Sequence, residues 1–252
     1  MKTSPSTRAN VLVTGANKGI GFAIARKLGE LQFAIWLGCR DPERGERAAA
    51  ELRDAGLAAR ALVLDIADVN SVRQAALRLG EEISALDVLI NNAGISLGNP
   101  MKPVTEESVE DMSAMLEVNA LGPVRVTQAF LPLLRKAAAA RVVMMSSGLG
   151  SIADTLDMSS LIWPVGAAGY CASKCALNML TVKFAKALLA EGIKVNCADP
   201  GYTATDLNGH SGPRTVDEAA AIAVELATMD ALGPTGGFFH DGHAQRSSRH
   251  RW

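Results

Sequence analysis

The chain has 252 residues, 48% of them hydrophobic, a net charge of -1 and an isoelectric point near 6.4. That length suits one large α/β domain spanning 1–252 with an ample core, and the near-neutral balance removes any bulk electrostatic case for nucleic acid. No apolar run reaches the roughly 18 residues that a membrane helix needs, so no membrane partner is expected.

The basic start "MKTSPSTRANVLVTG" has an apolar run that breaks at Thr14-Gly15, too early for a signal peptide. Residues 10–15, "NVLVTG", predict a buried strand. Residues 20–31 predict a helix with Ile20, Ile24, Leu28 and Leu31 on one stripe. A second strand is expected at 33–39. The helix at 41–56 should open on Asp41 as N-cap with Pro42 in its first turn, and close on Gly56. A third strand at 59–66 precedes a helix at 69–85. A fourth strand at 86–94 precedes a long helix starting near Thr105. The fifth strand covers 140–148, a long helix 169–192 and the sixth strand 193–201. The last helix begins on the capping box "TVDE", Thr215 to Glu218, and "TGGFF" at 235–239 can supply a seventh strand. Residues 241–252 read as a flexible, solvated tail.

Strands rich in Val, Leu and Ile and apolar on both faces, each followed by a helix, imply a parallel sheet covered on both sides. Such sheets bind ligands at the carboxyl ends of their strands. The four cysteines Cys39, Cys171, Cys175 and Cys197 show no CxxC spacing. Cys171 and Cys175 share a helical face with no histidine near them in sequence, so free thiols in a reducing, cytoplasmic setting and no metal are expected.

Gly15, Gly19 and Gly21 lie between the first strand and the first helix, where a dinucleotide pyrophosphate would rest on the helix N-terminus. The second strand ends "GCRD", with Cys39 where an acid for a ribose 2′-hydroxyl would stand and Arg40 after it. Asp41 reads better as a helix cap than as that acid. Lys18 and Arg40 can instead converge on a 2′-phosphate, which favours NADP(H) over NAD(H). Tyr170 and Lys174 are spaced i, i+4 and share one helical face. A neighbouring ammonium is expected to lower the phenol's pKa toward the working range.

With "TGANKGIG" (14–21), "LDI" (64–66), "NNAG" (91–94), Asn119, Ser147, "YCASK" (170–174) and "DPGYTAT" (199–205) in this order, the chain resembles the short-chain dehydrogenase/reductase family over nearly its whole length. It looks most like the NADPH-dependent carbonyl-reductase branch. The resemblance implies a Rossmann-like, doubly wound parallel sheet of about seven strands. It also implies an oxidoreductase that interconverts ketones or aldehydes and alcohols, a small-molecule carbonyl or alcohol as partner, and room for a homo-oligomer. By resemblance, Tyr170 is the acid/base and Lys174 holds the nicotinamide ribose. Ser147 binds the substrate oxygen, and Asn119 holds a water that relays protons from Lys174. Ser147 is preferred to Ser146 because the family places two residues between the serine and a glycine, here Gly150. Gly15, Asn17, Lys18, Gly19, Ile20 and Gly21 would bind the cofactor together with Arg40. Asp65 and Ile66 would flank adenine, and Asn91, Ala93 and Gly94 would pass under the cofactor, while Asn91 and Asn92 also make a plausible structural turn and are read as part scaffold. Pro200, Gly201, Thr203 and Thr205 would border the carboxamide and phosphates.

Two departures from the family pattern are Thr203 for an aliphatic residue and Asp199 for an asparagine. A third is the stretch of 22 residues between Ser147 and Tyr170. Its segment 151–169 carries Leu156, Met158, Leu161, Ile162 and Trp163, which either form an apolar wall to the site or pack on the body of the protein or on another subunit. Leu97, Leu149, Leu161, Trp163 and Tyr202 are the expected substrate-pocket residues, and the polar loop 202–214 reads as a mobile lid. Competing readings are an NAD-dependent alcohol or hydroxyacyl dehydrogenase and, from another class, an NADP(H)-binding regulatory sensor.

Overall fold

The structure, a computed structural model, describes residues 8–240 and Trp252; the rest of the tail expected at 241–252 lies outside the described residues. Seven strands form a single all-parallel sheet: β1 (Asn10–Thr14), β2 (Ala34–Cys39), β3 (Ala59–Val63), β4 (Val88–Asn91), β5 (Arg141–Met145), β6 (Lys194–Asp199) and β7 (Phe238–His240). Their order is β3-β2-β1-β4-β5-β6-β7, so the chain reverses its direction of travel between β1 and β4. A crevice at the carboxyl ends of these two strands is where such a sheet takes a ligand.

Helices α1 (Gly19–Glu30), α2 (Pro42–Asp54) and α8 (Val216–Thr228) cover one face. They bury Ile24, Leu28, Leu52, Ile222 and Leu226 against Val11, Val13, Ile35 and Val143. On the other face, α3 (Val69–Glu82), α5 (Gly122–Leu134) and α7 (Ala168–Ala187) bury Val72, Phe130 and Leu177 against Leu12, Leu89, Val142 and Val195. Adjacent residues on one strand, such as Leu12 and Val13, thus enter opposite cores, which is why the strands read as unbroken apolar runs.

The caps follow the sequence closely. Asp41 Oδ1 accepts the Arg44 amide at 3.0 Å with Pro42 in the first turn, and Thr215 and Glu218 close a reciprocal capping box. The long helix expected from Thr105 is broken. A 3₁₀ turn at Val104–Glu106 precedes α4 (Val109–Leu116), which is capped by Ser108, and a π-helical turn at Glu117–Leu121 joins α4 to α5. Gly122 lets α5 approach the loop after β3, since a Cβ there would lie 2.9 Å from Ile66 Cδ1. Between Ser147 and Tyr170 the chain forms a 3₁₀ turn at Gly148–Gly150 and a short helix, α6 (Ile152–Thr155), before turns lead into α7.

Candidate active site

The glycine turn after β1 is pressed against the end of β4. Gly15 has φ 64°, and a Cβ on it would lie 2.9 Å from the Ala93 Cα. Only glycine satisfies both demands. Thr14 Oγ1 accepts the amides of Asn92 (2.9 Å) and Ala93 (3.0 Å), while Asn92 Nδ2 donates to Thr14 O at 2.9 Å. These bonds lock the crossing of β1 and β4, so Asn92 has the scaffold role expected of it and Thr14, the first residue of the glycine motif, is its partner. Helix α1 starts here with Lys18 as an N-cap whose side chain caps nothing and with no acid in its first turn. Its leading amides are therefore open to an anion.

At the end of β2, Cys39 is buried and packed toward Gly45, and burial pushes its thiol pKa up. Asp41 is consumed as the α2 cap, and the Arg44 amide it binds holds its carboxyl below the ordinary range. The Asp41 carboxylate is also paired with Arg44 Nε at 3.3 Å. Arg40 is exposed beside that turn, which the Ala16 amide ties to Gly38 O at 3.2 Å. Lys18 is exposed as well, and its ammonium pairs with Asp206 of the loop after β6.

Beyond β3, the Asp65 carboxylate accepts the Ala67 amide at 3.0 Å, and Ile66 packs on Gly122. The Asn91 side chain turns inward, donating to Thr127 Oγ1 at 3.1 Å. Its contribution is scaffold, and only its backbone stands at the crevice. A Cβ on Gly94 would lie 3.1 Å from Asn119 Oδ1 and 3.7 Å from Lys174 Nζ, so these three residues meet under the crevice. Asn119 is buried in the π turn. Its Oδ1 accepts the Ile95 amide (2.8 Å), and its Nδ2 donates to Ile95 O (2.8 Å) and Ser173 Oγ (3.0 Å). The side-chain amide holds the chain after β4 against α7.

The two serines after β5 separate cleanly. Ser146 is buried and donates to Asn178 Oδ1 at 2.6 Å, whereas Ser147 is partly exposed, accepts the Leu149 amide at 3.2 Å and acts to lower the Tyr170 pKa. Asn178, one more turn along α7 from Lys174, donates to Gly150 O at 3.1 Å and accepts from Cys197 Sγ at 3.3 Å. A carboxamide at i+8 from Tyr170 was a legible signal that the motif search passed over. Lys174 is 5% exposed and donates to Met145 O at 2.8 Å, with its ammonium 5.5 Å from the Tyr170 ring centre.

The charges differ from the sequence expectation. Burial lowers the Lys174 pKa to about 8, opposed by Cys197 and Asp199. The Tyr170 pKa is raised above its ordinary value by burial, then by Asp199 and Cys171, against a lowering by the Ser147 hydrogen bond. Asp199 at the end of β6 thus bears on both residues, and its Oδ1 accepts the Gly201 amide at 2.9 Å.

Of the expected substrate-pocket residues, Leu97, Leu149, Trp163 and Tyr202 are partly exposed and lie on separate segments. Leu161 is 95% exposed and projects into solvent with Leu156 and Met158. The 151–169 segment therefore does not pack these side chains on the body of the protein. It abuts the loop after β4 through the Gly166 amide, which donates to Pro100 O at 2.9 Å. Loop 202–214 is internally knitted. Thr203 pairs with Arg214, Asn208 Nδ2 donates to Thr203 O (2.8 Å), and Tyr202 meets Ser211 at 2.6 Å. Thr203 Oγ1 donates to Gly201 O at 3.1 Å, and Thr205 Cγ2 faces Gly19 across the crevice. Pro200 and Gly201 make the turn that leads into this loop. Among the described residues no cluster of His, Cys, Asp and Glu could hold a metal ion, and no helix is long and apolar enough to cross a membrane.

Residues 9–215 match the short chain dehydrogenase family. The chain is 35% identical to the short-chain dehydrogenase anuI of Penicillium roqueforti, over 88% of this chain and 89% of that one. It is 31% identical to the (-)-isopiperitenone reductase of Mentha piperita, over 90% and 95%. It also resembles the crystal structure of an NADPH-bound carbonyl reductase from chicken fatty liver, with a TM-score of 0.83 and 31% identity, covering 97% of this chain and all of that one.

Proposed function

This chain belongs to the short-chain dehydrogenase/reductase family, whose members are oxidoreductases that bind a nicotinamide cofactor, and on that premise we propose that it is an NADPH-dependent reductase of ketones and aldehydes. The observation that carries the reading is Tyr170 with the buried Lys174 ammonium 5.5 Å from its ring centre and Ser147 close enough to lower its pKa.

The crevice fits a dinucleotide: glycine backbone at its floor, uncapped α1 amides at one end and the Gly94–Asn119–Lys174 junction at the other. Gly15 and Gly19 to Gly21 would hold the pyrophosphate with Asn17, and Lys18 and Arg40 would hold a 2′-phosphate. Asp65, Ile66, Ala93, Gly94, Pro200, Gly201, Thr203 and Thr205 would line the rest. With Cys39 buried and Asp41 committed to its cap, the exposed Arg40 at the end of β2, together with Lys18 once it leaves Asp206, favours a 2′-phosphate over a 2′-hydroxyl. When bound, the reduced nicotinamide supplies the hydride.

The chain's own part is proton supply and charge stabilisation. Negative charge grows on the substrate oxygen as its carbonyl is reduced, and Ser147 and Tyr170 are donors held there in advance. The raised Tyr170 pKa keeps the phenol protonated, which is the state needed to give a proton to that oxygen. Lys174 restores the charge balance as the phenolate forms, and an ammonium near pKa 8 can pass a proton on near neutral pH. Asn119 acts by holding the chain after β4 in register with α7. Leu97, Leu149, Trp163 and Tyr202 give the mouth an apolar rim suited to a hydrophobic carbonyl.

The test follows reduced-nicotinamide absorbance with NADPH and NADH side by side, against aliphatic, aryl and bicyclic ketones and aldehydes. NADPH consumption should lead, and Tyr170→Phe should cut kcat about 10³-fold while leaving NADPH affinity within a factor of about two. Equal use of NADH, or an active Tyr170→Phe enzyme, would overturn the reading.

A further inference from the structure

The Lys18–Asp206 ion pair joins two walls of the crevice that are 188 residues apart in sequence. Lys18 caps α1 on the glycine turn, while Asp206 opens a 3₁₀ turn, Asp206–Asn208, in the loop that leaves β6 toward the substrate side. The aspartate is well anchored. Its other oxygen meets His210 Nε2 at 2.8 Å, and the turn beneath it is held by a reciprocal Thr205–Asn208 cap. Thr205 also stands against Gly19, so the loop's root and the glycine turn touch where the ion pair forms. Arg40 makes no ion pair among the described residues, so of the two cations offered to a 2′-phosphate only Lys18 is already engaged.

We propose that Asp206 is a specificity-determining residue of the cofactor site, an internal carboxylate that occupies Lys18 until a 2′-phosphate displaces it. A phosphate and a carboxylate on one ammonium are like charges in contact, which is unfavourable, so the two compete. A cofactor without the 2′-phosphate has no such contest and leaves the pair intact. Asp206 therefore lowers the preference for the phosphorylated cofactor, and it links that phosphate to release of the loop bordering the substrate. The pair is exposed on both sides, so its hold is weak enough to be exchanged on binding.

This inference rests on the NADPH reading, and the test separates the two. Dissociation constants for NADP⁺ and NAD⁺ are measured by calorimetry at low ionic strength on the wild type, Asp206→Asn, Lys18→Ala and the double variant. Asparagine keeps an oxygen for His210 and removes only the charge. Asp206→Asn should tighten NADP⁺ about two- to fivefold and leave NAD⁺ unchanged, and that gain should vanish in the Lys18→Ala background. In the ligand-free protein, Asp206→Asn and Lys18→Ala should raise amide exchange at 205–210 equally. An equal gain in both backgrounds would mean general repulsion of the phosphate and would overturn the latch. No gain from Asp206→Asn, in an enzyme that prefers NADP⁺ and loses the preference with Lys18→Ala, would overturn it as well. A wild type with no preference for NADP⁺ would overturn the cofactor reading itself, and the latch with it.

Discussion

Lys18 and Lys174 both stand on the carboxyl edge of one sheet, and their surroundings are opposites. Lys18 has a side chain 57% exposed and an aspartate on the facing wall. Lys174 is buried, with its ammonium on the Met145 carbonyl and its pKa lowered to about 8. An exposed ion pair contributes about 0–1 kcal/mol, so Lys18 can change partners as a ligand arrives. A buried ammonium loses its water and is held at a cost, and such groups collect where proton chemistry is done. Position on the edge is common to both; exposure to solvent is what separates them, and on the proposed function it would separate a binding cation from a reactive one.

The sharpest break of that comparison is the loss of Lys174 from the reaction. Lys174→Met keeps the length of the chain and removes the charge, and kcat should fall about 10³-fold, as for loss of an acid/base group. NADPH affinity should fall far less, measured by fluorescence titration of the same variant. If binding fell as much as turnover, Lys174 would be a binding cation like Lys18 and the contrast would collapse.

Arg40→Ala tests the exposed side. It should raise the KM for NADPH about 10- to 100-fold, the worth of a charge-assisted contact, and leave the KM for NADH nearly unchanged. Steady-state kinetics with both cofactors decide it, and equal changes in the two constants would remove the 2′-phosphate from Arg40.

How much of this was legible varies with how local its cause is. The strands and the Asp41 and Thr215 caps are short-range consequences of residue type, and they stand within a few residues of expectation. Tyr170, Lys174 and Ser147 were legible as motif positions, because α7 and the end of β5 carry them rigidly. The π turn was not, because helix-compatible residues run on from Val109 and only the adjacent Gly122-Pro123 marks the change. The direction of the Tyr170 pKa was missed because spacing reveals a lysine at i+4 but neither the depth of burial nor the carbonyl that the lysine faces. The Asp206 contact spans 188 residues, so no local pattern encodes it.

The same Lys174→Met variant also measures what burying the charge costs. A lysine with an ordinary pKa of 10.5 that falls to about 8 on folding has its charged form disfavoured by roughly 3 kcal/mol at most. Below pH 8 both the folded and unfolded chains carry the proton, and the full cost is present. Between about pH 8 and 10.5 the unfolded chain binds more protons than the folded one, so stability rises with pH as the cost is relieved. Methionine removes the charge but leaves the Met145 carbonyl without its donor, a loss of about 1–2 kcal/mol. Urea unfolding at pH 7 should therefore find Lys174→Met more stable than the wild type by about 1–2 kcal/mol, although it is inactive. That advantage should shrink as pH rises from 8 toward 10. An advantage that did not change with pH would assign the gain to packing and leave Lys174 charged at no cost.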